Sequence, residues 1–131
     1  MRSRVVVVED EAIAAMAVSH MLESAGCTVL GVAVSGQEAV ELTLKCHPDV
    51  VLMDIRLKGE MSGIDSAKAI RQRLQVPIVF TTAYSVEEIR ESCDIDDSFL
   101  FVTKPIREDD LSQAIATACS QGKPGPAVSG E

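Results

Sequence analysis

The sequence predicts an α/β domain in which a five-stranded parallel sheet is covered by helices on both faces. Three observations carry that expectation. The apolar runs Val5–Val8, Val50–Met53 and Val76–Phe80 are continuous rather than alternating, as strands buried on both faces require. Between the runs lie stretches whose apolar residues recur at helical spacing, so strands and helices alternate along the chain. The connections are short, and a right-handed crossover between neighbouring strands makes them parallel. With 131 residues, 47% hydrophobic and 24% charged, the chain has the size and composition of one globular domain rather than of a disordered or fibrous segment.

Each element has its own signal. Val5–Val8 is a β-branched run that stops at Glu9-Asp10-Glu11, and a helix follows with Ile13, Ala14, Met16, Ala17, Met21 and Leu22 as its apolar positions. Gly26 stands where that helix ends, and Thr28–Val34 supplies the second strand. Ser35-Gly-Gln-Glu38 has capping-box spacing and opens a helix whose buried face is expected at Ala39, Val40, Leu42 and Leu44. Pro48 ends it, because the residue before a proline is pushed out of the helical region.

Val50–Met53 is the central strand. Ser62-Gly-Ile-Asp65 then opens a third helix, with Ile64, Ala67, Ile70 and Leu74 on one face. The fourth strand is Val76–Phe80, leading into Thr81-Thr82-Ala83-Tyr84. Ser85-Val-Glu-Glu88 is another capping box, but the helix behind it soon meets Asp94, Asp96 and Asp97 and is expected to be short and mobile. Phe99–Val102 is the fifth strand, and Arg107–Ser120 a final helix burying Leu111, Ile115 and Ala118. The domain is expected over residues 1–121, with a disordered tail at 122–131 where Gly, Pro and Ser accumulate. For five such units the common solution is the flavodoxin-like doubly wound (βα)5 fold with strand order 2-1-3-4-5.

Composition narrows the function. A formal net charge of −8 repels phosphate backbones and anionic lipid, and 3% aromatic residues leave little for base stacking. Neither direct nucleic-acid binding nor membrane association is expected. Four cysteines stand singly, with no C-x-x-C spacing and no secretory leader before them, so reduced thiols and a cytoplasmic location are expected.

In a parallel sheet the carboxyl ends of all strands share one edge, where ligands bind. The first strand delivers Glu9 and Asp10 there, the third Asp54, the fourth Thr82 and the fifth Lys104. Two like charges about 4 Å apart at an effective dielectric near 20 repel by roughly 4 kcal/mol, so three carboxylates together take up protons or bind a cation. With only oxygen ligands on offer the cation is a hard one, and Mg2+ fits. Carboxylate, hard metal, ammonium and hydroxyl around one point suit phosphoryl transfer, with Asp54 as nucleophile and Lys104 holding a phosphoryl oxygen. No histidine or cysteine is placed as a base, and an ionised carboxylate needs none.

These residues, joined in order by Glu9-Asp10, the Leu-Met-Asp-Ile context of Asp54, Gly63-Ile64, Thr82-Ala83 and Lys104-Pro105, resemble the receiver domain of two-component response regulators. The resemblance implies that Asp54 is the phosphoacceptor and that Asp10, Asp54 and the backbone carbonyl of Arg56 hold Mg2+, with Glu9 acting mainly through water. It implies a phosphate-binding and switch set of Thr82, Ala83, Lys104 and Phe101, and a cis peptide before Pro105. It further implies a histidine kinase or phosphotransfer protein as donor, docking near Ile13, Met16, Ala17 and Ile106. A protein target downstream, and room for a phosphorylation-dependent homodimer, complete the picture. The output surface would include Val86, Ile89 and Arg90.

The chain departs from the pattern at Lys58 and Ser62 in the loop after Asp54, in the segment Cys93–Ser98, and at the bulky Arg56 and Tyr84, which flank the site. Two other classes stay open on the residues alone. One is a Mg2+-dependent phosphohydrolase with an Asp nucleophile, against which stand Arg56 where a second carboxylate is needed and the lack of a cap domain. The other is a receiver fold that works unphosphorylated, against which stands the intact residue set.

Overall fold

A computed structural model of the chain describes residues 3–85, 87–89 and 99–121. The elements are β1 (Arg4–Val8), α1 (Ala12–Ser24), β2 (Thr28–Ala33), α2 (Gly36–Cys46), β3 (Val50–Asp54), α3 (Gly63–Arg71), β4 (Ile78–Thr82), β5 (Leu100–Thr103) and α4 (Glu108–Gln121). The strands form one parallel sheet in the order β2-β1-β3-β4-β5, the doubly wound flavodoxin-like arrangement. Expectations for Val86, Arg90, the acidic run Asp94–Asp97 and the tail from 122 concern residues outside those described.

The continuous apolar runs are explained by what lies on either side. Val6, Val8, Val51, Met53 and Phe80 face Ala39 of α2 and Ala67 and Ile70 of α3. Val5, Val7, Leu52 and Val79 face Val18 and Leu22 of α1 and Leu111, Ile115 and Ala118 of α4. Successive strand residues point to opposite faces, and here both faces are covered, so polar side chains are kept to the strand ends.

Several local expectations shift. β3 and β4 run on through Asp54 and Thr82, because the two strand ends pair with each other, Asp54 opposite Thr81. Asp54 and Thr82 therefore sit on the strands rather than on the turns that follow. In α1 the buried stripe is Ala15, Val18 and Leu22, while Ile13 and Met16 are 84% and 71% exposed. In α2 the buried positions are Gly36, Ala39 and Thr43, with Val40 and Leu42 only half-buried and packed against the same cluster. The fully buried Thr43 was hidden by its polar side chain.

The helix ends also refine the sequence signals. Ser35 and Ser62 accept the N–H of Glu38 and Asp65, both at 3.1 Å. Glu38 reaches back one residue further than a capping box requires, to the N–H of Val34. His47 is left-handed (φ 49, ψ 62) rather than extended. It ends α2 in that conformation while the Arg4 guanidinium takes the carbonyls of Cys46 and His47. Among the described residues no helix is long and apolar enough to cross a membrane.

Candidate functional site

The four charged residues expected at the sheet edge come together. One carboxylate oxygen from each of Glu9, Asp10 and Asp54 lies within 4.8 Å of the others. Lys104 Nζ is 3.0 Å from Asp54 Oδ2 and 3.9 Å from Glu9 Oε1. Backbone geometry fixes all of them. The Glu9 N–H donates to Ala33 O of β2 at 2.9 Å, and the Lys104 N–H to Thr82 O of β4 at 2.7 Å, so residues just past β1 and β5 continue the sheet. The Lys104–Pro105 peptide is cis.

Each carboxylate has one oxygen on a backbone N–H. Asp54 Oδ1 accepts from Arg56 at 3.0 Å, Glu9 Oε2 from Glu11 at 3.1 Å, and Asp10 Oδ2 from Lys58 at 2.9 Å. Glu9 thus does the work of a helix cap at Glu11, where α1 has no side-chain cap from its own N-cap residue, and also faces Lys104. Three carboxylates and nothing softer make an all-oxygen donor set that suits a hard divalent cation.

The electrostatics follow from this crowding. Burial, with the Asp54 charge beside it, pushes the Glu9 carboxyl up to about 7, against the opposing pull of the Glu11 N–H and Lys104. Burial works to lower the Lys104 ammonium, but its bond to Asp54 and the charges of Asp54 and Glu9 outweigh that and raise it.

A pH dependence of the metal-free protein follows. Glu9 binds its proton more tightly folded than unfolded, so its stabilising contribution is complete below about pH 4.5 and lost as pH rises to about 7. At 1.36 kcal/mol per pKa step the loss is up to about 3 kcal/mol. Chelator-treated protein should melt lower at about pH 7.5 than at about pH 5, and Glu9→Gln should flatten that difference. An equally steep fall in Glu9→Gln would assign it to another group.

The remaining expected residues stand around this centre. Thr82 is fully buried and its hydroxyl oxygen accepts the Tyr84 N–H at 2.9 Å, so the hydroxyl is engaged within its own turn. Ala83 is exposed. Phe101 lies outside the acidic cluster, half-buried and stacked on Phe80 with ring centres 5.6 Å apart; Phe80 in turn meets Phe99.

Two features are absent from the sequence reading. The Arg56 guanidinium lies over the Tyr84 ring, 4.6 Å from its centre, so the two bulky flanking residues form one stacked pair spanning the ends of β3 and β4. Their own N–H groups hold Asp54 and Thr82. The other is Gly63, whose Cβ, if present, would stand 2.3 Å from Asp54 O. The matching offset, two residues after Asp54 and after Thr82, was visible, but side-chain contact across strands is not.

The profile of the response regulator receiver domain matches residues 5–116, most of the chain. The chain belongs to the response regulator receiver domains. This receiver domain is 37% identical over 128 residues to the transcriptional regulatory protein PdtaR of Mycobacterium tuberculosis, an alignment covering 98% of the chain and 62% of PdtaR. It therefore spans less than two thirds of that relative's length. Its fold matches the crystal structure of the response regulator PhyR from Brucella abortus with a TM-score of 0.81 at 34% identity, over 92% of this chain and 49% of that one. The solution structure of the PhyR receiver domain from Erythrobacter litoralis matches with a TM-score of 0.84 at 31% identity, over 97% of each chain. Receiver domains are signalling switches of two-component systems, and the enzymatic activity in the names of some relatives belongs to longer proteins.

Proposed function

We propose that this receiver domain, read as residues 1–121, is a phosphorylation-switched protein-binding module that accepts a phosphoryl group on Asp54 from a histidine kinase or phosphotransfer protein. The observation that carries the reading is the Asp54 carboxylate at the end of β3, with Lys104 Nζ 3.0 Å away and two further carboxylates beside it. Asp10, Asp54 and the Arg56 carbonyl would hold Mg2+, with Glu9 through water. When bound, that ion neutralises the oxygens of the transferring group.

The protein's own part is positioning. One Asp54 oxygen attacks phosphorus and forms the new O–P bond, while the bond from phosphorus to the donor's imidazole nitrogen breaks and its electron pair stays on that nitrogen. The Arg56 N–H fixes the plane of the Asp54 carboxylate. Lys104 holds a phosphoryl oxygen as a point charge, and Thr82 turns its hydroxyl from the Tyr84 N–H toward the new group. That movement vacates space beside Phe101, which rests on Phe80, so the surface around β5 changes and a protein target or a second copy reads the change. The exposed Ile13 and Met16 on α1, close behind Glu9 and Asp10, support docking of the phosphohistidine donor there. The proposed location is the cytoplasm, and no chemistry beyond the domain's own phosphorylation and dephosphorylation is assigned to it.

Incubation with a small-molecule phosphodonor and Mg2+, followed by intact mass, tests the reading. One added phosphoryl group that a chelator prevents is expected. No gain in mass with the folded protein would overturn it.

The Arg56–Tyr84 stack adds a prediction about lifetime. A side-chain pair spanning the strand ends beside Asp54 restricts the approach of water to the acyl phosphate, and reaction geometry is sensitive to displacements of an ångström. Arg56→Asn and Tyr84→Ala are each expected to hydrolyse on the order of tenfold faster, followed as loss of phosphorylated mass with time. Equal or slower loss in both variants removes the stack from the argument.

A further inference from the structure

Asp10 and Lys58 are 48 residues apart in sequence, yet the Lys58 peptide N–H donates to Asp10 Oδ2 at 2.9 Å. The donor belongs to the loop from β3 to α3, and that loop is anchored on either side of it. Leu57 before it is buried. Met61 after it lies against Gly36 so closely that a Cβ there would stand 2.8 Å from Met61 O. Gly36 itself is tied to α3 by the buried Ser66 hydroxyl, which donates to Gly36 O at 2.9 Å, and the Gly63 N–H returns to Ile55 O at 3.2 Å. The Lys58 N–H is therefore presented to Asp10 by packing rather than by a free loop.

A carboxylate that holds a metal through one oxygen is commonly oriented by a hydrogen bond on the other, and loss of such an outer partner typically costs 10–100-fold in metal affinity. We propose that the peptide N–H of Lys58 is a positioning group for the cation site, orienting the Asp10 carboxylate by one oxygen and leaving the other for the ion. This rests on the reading of Glu9, Asp10 and Asp54 as a divalent-cation site. The Lys58 side chain acts in the opposite sense. Its ammonium favours ionised Asp10 but repels an arriving dication. One residue thus carries two effects of opposite sign, and chemistry separates them, since every substitution except proline keeps the N–H.

Calorimetric titration of the full chain with Mg2+ tests this in wild type, Lys58→Ala, Lys58→Pro and Asp10→Ala. Lys58→Ala is expected to bind as tightly as wild type or severalfold tighter. Lys58→Pro is expected to bind about 10–100-fold more weakly, with an unchanged circular dichroism spectrum. Wild-type affinity in a folded Lys58→Pro overturns the proposal, and so does an equal loss in Lys58→Ala, which would place the effect in the side chain. Should proline unfold the loop, hydrogen exchange decides. The Lys58 amide should exchange at least about tenfold faster in Asp10→Ala than in wild type, as expected for loss of about one hydrogen bond, and equal rates overturn the proposal. If Asp10→Ala binds Mg2+ as wild type does, the cation-site reading itself fails, whatever position 58 does.

Discussion

Asp54→Asn is expected to gain no phosphoryl group from either a small phosphodonor or a phosphohistidine partner, while keeping its fold. The amide that replaces the carboxylate has nearly the same shape but no anionic oxygen to attack phosphorus, so the loss should be complete rather than partial. The fold should survive because the change has compensating effects. Lys104 loses its ionised partner at 3.0 Å, but Glu9 and Asp10 lose a like charge beside them. Because the Asp54 charge helps to push the Glu9 carboxyl up, that carboxyl should move back toward 4.5 in the variant. Intact mass after phosphodonor treatment and a thermal melt are the measurements. An undiminished mass gain in folded Asp54→Asn would move the acceptor to another residue, with Asp10 the first to examine.

The largest stability effect is expected at Gly63. A Cβ on this residue would lie 2.3 Å from Asp54 O and 2.9 Å from both Cα and O of Ile55. All three are backbone atoms of the strand end that carries the site, so no side-chain rotation relieves the clash. Overpacking ordinarily costs about 1–3 kcal/mol, and a contact that only backbone can yield belongs at or above the top of that range. Alanine's better helix propensity returns at most about 1 kcal/mol. Gly63→Ala should therefore lower the urea midpoint by about 2 kcal/mol or more in free energy, and should slow phosphorylation because the atom displaced is Asp54's own carbonyl. Gly59→Ala is the comparison. Gly59 has φ +104 but open space around its Cβ, so it meets backbone strain without a clash and should cost about 1 kcal/mol. A Gly63→Ala chain no less stable than Gly59→Ala would refute the argument from close approach.

How much of this was legible in the sequence depends on the range over which each interaction acts. Val5–Val8 and Val50–Met53 announce strands covered on both faces, and from strands that alternate with helices the sheet order follows by rules of connection. The meeting of Glu9, Asp10, Asp54 and Lys104 is a consequence of that topology, so it too was within reach. The buried stripe Ala15, Val18 and Leu22 was less accessible, since apolar residues fill nearly every position of α1 and periodicity alone cannot choose among them. What escaped altogether depends on close contacts between segments that the fold brings together. The Lys58 N–H on Asp10, the Arg56 guanidinium over Tyr84 and the approach of Gly63 to Asp54 leave no pattern in spacing or composition. The left-handed His47 is of the same kind, because Arg4, which takes its carbonyl, lies more than forty residues earlier.

The Arg56–Tyr84 contact has an optical consequence. The chain contains no tryptophan and one tyrosine, so a single phenol ring dominates its near-ultraviolet emission. That ring lies under the guanidinium of Arg56, the residue whose backbone N–H donates to the Asp54 carboxylate. Events at the sheet edge that separate or tighten the pair thus alter the only phenol fluorophore present. On the proposed function, cation arrival and phosphoryl transfer are expected to change the stopped-flow emission of the unlabelled protein, with no extrinsic dye.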